Sequence, residues 1–485
     1  MKLLIDTNIV IPLEPTGRAD LHVNTATAAA FAQAAMAGGH QLFVHPAIDE
    51  DIARDKNAER RELRSALLAK YMRLVHPPSS SAVNAVLGVP ARDSHDYVDH
   101  QLLAALRANA VDYLVTEDIE IAKKAKRLGV EQRVFTIAAA ATLLRSLFDV
   151  SPPAPPAVTE TRAYTLNASD PIFTSFRADY DGFDAWLAQC QRDQRLTWIV
   201  EMNSRHAAIA IVKEEKNSAE QLGGKTLKIC SLKVSDEFRG FRFGELILKA
   251  IFTYAESNQY VAVFVTVLPK YDDLIDLLAD FGFVRVDRTT NLGEVVLAKS
   301  FVADASVVSP LEYNVRYGPS ALLPDTAHTY VIPIQPRYSN VLFPETAAMR
   351  SLFAGHFAFG NGLRKAYLSN ASIRTLDPGA TLFFYRSQQE QGLVAIGVLE
   401  RVVLSADAEV IAREVARRTV YTFAEMQELA SHGEVLALLF RQARILVPSL
   451  RASELIAAGV LSGPPQSIQR VREEGARWLY QRIAA

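Results

Sequence analysis

Cysteine is nearly absent: in 485 residues only Cys190 and Cys230 occur. Two thiols build neither a disulfide framework nor a Cys-rich zinc module. They suit a reducing compartment, so a cytoplasmic location is expected. An uncharged apolar run of about 18 residues, the length a membrane span needs, is also lacking, and no membrane partner is expected. The opening apolar run ends at Asp6, too soon for a secretory leader. Net charge is almost nil: 52 basic against 54 acidic residues leave −2. That excludes a polybasic wrapper of nucleic acid.

What is present is length. At roughly 100–200 residues per domain the chain holds about three. Ser151-Pro152-Pro153-Ala154-Pro155-Pro156 cannot enter a helix or a central strand and reads as a stiff linker. A second stretch, punctuated by Pro310, Gly318, Pro319 and Pro324, lacks a clear period. The expected units are therefore 1–148, 161–302 and 325–485, with linkers at 149–160 and 303–324. Their charges differ. The first carries 17 basic and 17 acidic residues, and the last 17 and 14, with Lys365 its only lysine.

In the first unit short apolar strands alternate with helices, so an α/β fold with a parallel sheet is expected. Ligands gather at the carboxyl ends of such strands. Leu3-Leu4-Ile5 ends at Asp6, and Tyr113–Thr116 ends at Glu117-Asp118. Asp51 and Asp99 lie near the starts of following helices. With Leu-Ile-Asp-Thr-Asn at 4–8, Asp99-x-x-Leu-Leu-Ala-Ala, and Val-Thr-Glu-Asp at 115–118, the segment resembles the PIN domain, a metal-dependent ribonuclease fold. The resemblance implies Asp6, Asp51, Asp99 and Asp118 as catalytic carboxylates holding Mg²⁺ or Mn²⁺, which would activate water and clamp phosphodiester oxygens. Glu50 adjoins Asp51 as an alternative, and Asp96 lies one helical turn before Asp99. Thr7, Asn8 and Thr116 would orient ligands or water.

In the middle unit a half-buried strand, 227–234, leads into Ser235–Gly244 and a helix over 245–256. A glycine-bearing turn between strand and helix makes an anion site, because the helix-start N–H groups point outward. An apolar strand over 260–267, a helix and Gly282-Phe283 follow. This order resembles the GNAT acyltransferase family over about residues 160–302. The family's coenzyme-A turn, Arg/Gln-x-x-Gly-x-Gly/Ala, falls on Arg239, Gly240, Phe241, Arg242, Phe243 and Gly244. Arginine replaces the middle glycine. Residue 242 therefore either keeps an ordinary φ or is strained, and its side chain is a candidate extra cation for the pyrophosphate. The resemblance implies acetyl-CoA as cofactor and attack by a neutral amine. It places the thioester beside about Phe264–Val267. Glu294 and Asp236 are candidate bases. No Tyr follows Phe283 up to Phe301 where many family members use one, and Tyr271 is a substitute for it.

The last unit mixes strands at 331–334, 382–386, 393–399, 436–440 and 443–446 with helices at 407–417, 423–430 and 468–483. Asp377–Arg386 and Ala395–Glu400 resemble the PUA-like group, ASCH and EVE types included. That implies a β-barrel edged by helices that binds RNA. Arg364, Lys365, Arg374 and Arg386 would contact phosphate, and Phe384 or Tyr385 would stack a base. Arg417-Arg418 closes a helix, where cations favour its dipole.

The expected protein is an α/β multidomain effector. It would combine metal-dependent RNA cleavage, acetyl transfer to an amine and nucleic-acid binding, with tRNA as a candidate target. A toxin-like or defence role with an antitoxin-like partner follows by analogy. The alternatives are an RNA-directed acetyltransferase and a non-catalytic regulator with an inactive PIN-like domain.

Overall fold

The computed structural model describes residues 1–14, 25–148, 157–202, 205–215, 222–290, 292–303, 309–324, 327–348, 362–388, 391–415 and 418–484. The Pro-rich segment 151–156 lies outside them. The described residues form three sheets, one per expected unit.

The first sheet contains β1 (Lys2–Ile5), β2 (Gln41–Val44), β3 (Met72–Arg73), β4 (Tyr113–Val115) and β5 (Val134–Phe135), in the order β3-β2-β1-β4-β5. Every pairing is parallel, as the strand–helix alternation implies. The central strands are apolar on both faces because helices cover both. Leu4 and Leu114 point into one core cluster, while Leu3, Ile5, Tyr113 and Val115 point into the other.

The middle sheet has seven strands: β6 (Thr159–Arg162), β7 (Leu196–Met202), β8 (Arg205–Glu215), β9 (Thr226–Val234), β10 (Ala262–Val267), β11 (Val284–Thr289) and β12 (Val295–Ser300). Their order is β11-β12-β10-β9-β8-β7-β6. Only β9·β10 is parallel, since the helix Phe243–Ser257 crosses over between them. That helix is buried along most of its length, Glu245 and Lys249 included.

The last sheet has β13 (Thr329–Ile334), β14 (Arg364–Ser369), β15 (Thr381–Arg386), β16 (Gly392–Ser405), β17 (Val435–Arg451) and β18 (Gln469–Arg470). Its order, β14-β17-β16-β15-β13-β18, leaves β14 and β18 at opposite edges. The sheet is open among the described residues, where a closed barrel was expected. β17 is one long strand where two short ones were expected. Three register shifts against β16 let it bend without breaking. A Cβ on Gly397 would lie 2.5 Å from Phe440, so glycine is required at this crossing. The expected linker 303–324 contains a helix, Pro310–Tyr317, capped by the Ser309 hydroxyl.

The three units do not hang as beads on linkers. One hydrophobic cluster contains Leu3, Phe31 and Leu144 of the first unit together with Ile332, Phe384 and Leu438 of the last. The Tyr113 hydroxyl donates to the Ala412 carbonyl at 2.9 Å, and Arg413 pairs with Asp112 at 3.2 Å. Phe148 packs on Phe423 with ring centroids 4.9 Å apart. The middle unit is tied to the first by Lys123–Asp272 (2.8 Å) and Lys126–Asp280 (3.2 Å), and to the last by the Glu245 carboxylate, which accepts from the Arg364 N–H at 2.6 Å.

Candidate active site

β9 and β10 pair from Ala262↔Thr226 to Val265↔Ile229 and no further, although β9 runs on to Val234 and β10 to Val267. Beyond Ile229 and Val265 the strands diverge, so their facing backbone groups are left for a ligand. The gap opens into a cavity of about 1030 Å³ lined by Cys230–Val234 on one side and Val265–Leu268 on the other. At its floor a single 3₁₀ turn, Asp236–Phe238, leads through Arg239–Arg242 into the helix Phe243–Ser257. The first N–H groups of a helix have no partner within it, and its dipole favours an anion there.

The six turn residues divide into distinct roles. Arg239 is exposed and pairs with Asp236 at 2.8 Å. Gly240 has φ +84°, the left-handed region that suits glycine. Phe241 packs on Phe243, with ring centroids 5.4 Å apart. Arg242 has φ +63°, so the arginine in place of glycine is strained. Its guanidinium is held by the buried Glu245, Nε to Oε2 at 2.8 Å and Nη2 to Oε1 at 2.7 Å, and Nη2 also donates to the Arg364 carbonyl at 2.7 Å. Arg242 is therefore a structural cation, engaged before any phosphate arrives. Burial pushes the Glu245 carboxyl up, but the Arg242 and Arg364 charges more than offset this and hold it near 2. Phe243 and Gly244 open the helix and are buried.

Two hydrogen-bonded pairs face the cavity. Glu294 is 7% exposed; its Oε1 accepts from the Tyr180 hydroxyl at 2.8 Å and its Oε2 from the Thr290 hydroxyl at 3.1 Å. The Tyr271 hydroxyl donates to Asp179, which Lys270 also contacts. Burial, then the Asp179 hydrogen bond, pushes the Tyr271 phenol up to about 12, so it stays protonated at neutral pH. Burial raises the Asp179 carboxyl, yet the Lys270 and Tyr271 hydrogen bonds hold it below its ordinary value. Glu294 is thus held in a fixed orientation, and Tyr271 keeps its one proton, which it donates to Asp179. Asp236, the other candidate base, is exposed and paired with Arg239. Tyr180 and Asp179 escaped the sequence reading. They end a short helix (Thr174–Asp179) remote in sequence from the turn, and no local motif marks them.

In the first unit the fold brings the four expected acids within electrostatic reach of one another in a chain, Asp6 with Asp51 and Asp99, and Asp99 with Asp118. Asp6 caps the helix Thr7–Leu13, taking the Thr7 N–H at 2.6 Å, Asn8 Nδ2 at 2.7 Å and the Thr116 hydroxyl at 2.7 Å. Burial raises its carboxyl to about 7; the Thr116 and Thr7 hydrogen bonds oppose this, while the Asp99 and Asp51 charges add to it. Asp51, rather than Glu50, accepts from the Thr7 hydroxyl (3.0 Å), and it also takes Arg54 Nη1 at 2.6 Å. Asp99 accepts from Lys124 Nζ at 2.6 Å, and Lys124 contacts Asp96 as well. Asp118 caps the helix Ile119–Arg127 through the Glu120 N–H. Thr7, Asn8 and Thr116 hold carboxylates in place, as expected. Two of the acids, however, already hold a side-chain cation. Among the described residues no three His, Cys, Asp or Glu side chains are grouped to hold a metal ion. In this arrangement the residues do not fit the implied Mg²⁺ or Mn²⁺.

The last unit corrects most of the expected RNA contacts. Phe384 and Tyr385 are both fully buried, one in each core cluster flanking β15, because both faces of the sheet are covered. Lys365 is fully buried, with its ammonium on the Leu342 carbonyl. Arg386 is buried and donates to Asn340. Arg364 stacks on Phe281, with its guanidinium 5.0 Å from the ring centroid. Arg418 is buried against Glu400, while Arg417 lies outside the described residues. Arg374 alone of the four proposed phosphate contacts is exposed. Arg470, Arg472 and Arg477 are exposed too, and the sequence reading passed over them.

Among the described residues no helix is long and apolar enough to cross a membrane. No curated protein matches the chain in sequence. Several solved structures are similar to parts of it. ASCH from Zymomonas mobilis is 15% identical, covering 32% of this chain and 94% of its own, with a TM-score of 0.25. An N-acetyltransferase from Staphylococcus aureus Mu50 is 16% identical, covering 30% and 99%, with a TM-score of 0.26. A GNAT family acetyltransferase from Elizabethkingia anophelis with acetyl-CoA bound is 15% identical, covering 30% and 98%, with a TM-score of 0.23. Residues 162–283, which carry the splayed strands and the turn, match the Acetyltransferase (GNAT) family.

Proposed function

We propose that the protein is an acetyl-CoA-dependent N-acetyltransferase. The observation that carries this is the opening between β9 and β10 directly above the Arg239–Gly244 turn, in the segment that matches the family. Pantetheine amides pair with the separated strand edges, as an added strand would. The pyrophosphate sits on the helix-start N–H groups. The acetyl carbonyl then lies beside Val265–Leu268, within the cavity that Glu294 and Tyr271 also line. Glu294 takes the proton of the attacking amine, with Tyr180 and Thr290 fixing its orientation. Tyr271 protonates the departing thiolate once its O–H swings from Asp179 to the sulfur, and it regains a proton from solvent. The nitrogen–carbonyl bond forms as the carbon–sulfur bond breaks, and acetylamine and free CoA leave.

The flanking units serve this chemistry. RNA is the proposed partner of the last unit, through the exposed Arg374, Arg470, Arg472 and Arg477 rather than the buried arginines. The first unit keeps PIN-like carboxylate positions with Arg54 and Lys124 as their counter-ions, and it acts as a structural partner of the transferase. Titration of the full chain with acetyl-CoA, followed by thiol release against a panel of primary amines, tests the proposal. Saturable binding with amine-dependent release of CoA is expected. Absence of binding at millimolar acetyl-CoA would end it.

A further inference from the structure

The cavity wall is not made by the middle unit alone. Ile119, Glu120, Lys123 and Gln132 of the first unit line it beside the phosphate turn. The contact is close. The Thr136 hydroxyl donates to the Arg239 carbonyl at 3.0 Å, and a Cβ on Gly240 would stand 3.1 Å from the Ala139 methyl. Lys123 Nζ bridges Glu120 (2.9 Å) and Asp272 (2.8 Å), so it spans the seam between the two units.

We infer that acyl-CoA binds in a composite site, with the first unit contacting the phosphate-bearing nucleotide half of the cofactor through Lys123. This rests on the acyltransferase reading. The thioester end belongs in the strand opening and the pyrophosphate on the turn. The nucleotide, with its further phosphate, must therefore leave the turn along the wall where Lys123 stands. An ammonium has three donors. Two meet Glu120 and Asp272, and the third reaches a phosphate oxygen. Arg242 and Lys123 are both paired with carboxylates; what sets Lys123 apart is its place at the seam, on the cavity wall that the first unit brings to the turn.

The test compares acetyl-CoA with S-acetylpantetheine, which lacks every phosphate, on the full chain and its Lys123→Ala and Lys123→Arg variants. Titration is expected to show Lys123→Ala binding acetyl-CoA about tenfold more weakly, the scale of a lost charge-assisted hydrogen bond. S-acetylpantetheine should be unaffected, and Lys123→Arg should restore most of the affinity. Equal weakening of both ligands, or of neither, would overturn the inference while leaving the transferase intact. A wild type that binds neither ligand would remove the transferase reading and this inference with it. Hydrogen–deuterium exchange on the wild type gives an answer independent of the variants. Acetyl-CoA should protect the amides of 119–132, and unchanged exchange there would overturn the composite site.

Discussion

Arg242 and Glu245 form a two-pronged ion pair at the start of a buried helix, with the arginine backbone in the left-handed region. Two effects of opposite sign meet at residue 242. Replacing arginine by glycine relieves about 1 kcal/mol of backbone strain. It also leaves Glu245 with one fewer partner, and breaking a buried pair costs about 3–5 kcal/mol. The second effect is larger. Arg242→Gly should therefore lower the melting temperature even though it restores the family's glycine, and a gain in stability would refute this account of the turn.

Glu245 also predicts how stability depends on pH. Its folded-state pKa is near 2, below the ordinary 4.5. A depressed carboxylate contributes stability that is complete above the unfolded value and is lost as pH falls through the folded one. The contribution of Glu245 should thus be whole at neutral pH and fade between about 4.5 and 2. Denaturant titrations across this range should show a shallower acid slope for Glu245→Gln than for wild type. Parallel slopes would show that the charge pair is not what the carboxylate contributes.

Glu294→Gln keeps the shape of the side chain but removes the basic oxygen. As the proton acceptor it should lower kcat by about 10²–10⁴-fold. The dissociation constant for acetyl-CoA should barely move. Tyr180→Phe removes only one orienting hydrogen bond and should cost less. Steady-state kinetics with a responsive amine would show the ordering, and a Tyr180→Phe defect equal to that of Glu294→Gln would contradict it.

In the first unit, Arg54 and Lys124 supply the charge that a divalent ion would otherwise provide to Asp51 and Asp99. Millimolar Mg²⁺ or Mn²⁺ should leave the wild-type melting temperature unchanged. The double variant Arg54→Met with Lys124→Met leaves the acids without those cations. It should be less stable in EDTA and recover on adding metal, because a ligand that binds only the folded state stabilises it in proportion to its occupancy. A clear metal-induced shift in the wild type would reinstate the implied ion.

The parallel alternation of the first unit and the strand–turn–helix around Arg239–Gly244 were legible in the sequence. Each depends on local periodicity or on a turn residue with a fixed backbone demand. What it could not show depends on distance along the chain. Tyr180 meets Glu294 across the cavity, and Lys123 meets Asp272 across two units. Phe384 and Tyr385 illustrate the same limit. Alternation correctly sends them to opposite faces of β15, but only the packing of Phe343, Tyr367 and Phe440 on one face and of the terminal helix Glu473–Ala484 on the other decides that neither face meets water.

The cluster that joins Leu144 to Leu438 has a consequence for biosynthesis. The apolar face of the first unit leaves the ribosome long before its cover exists. Translation from Phe148 to Thr329 takes roughly 10–40 s at about 5–20 residues per second. During that interval the nascent chain carries an open greasy surface, so production of the protein should depend on holding chaperones and fail early when the last third is cut away.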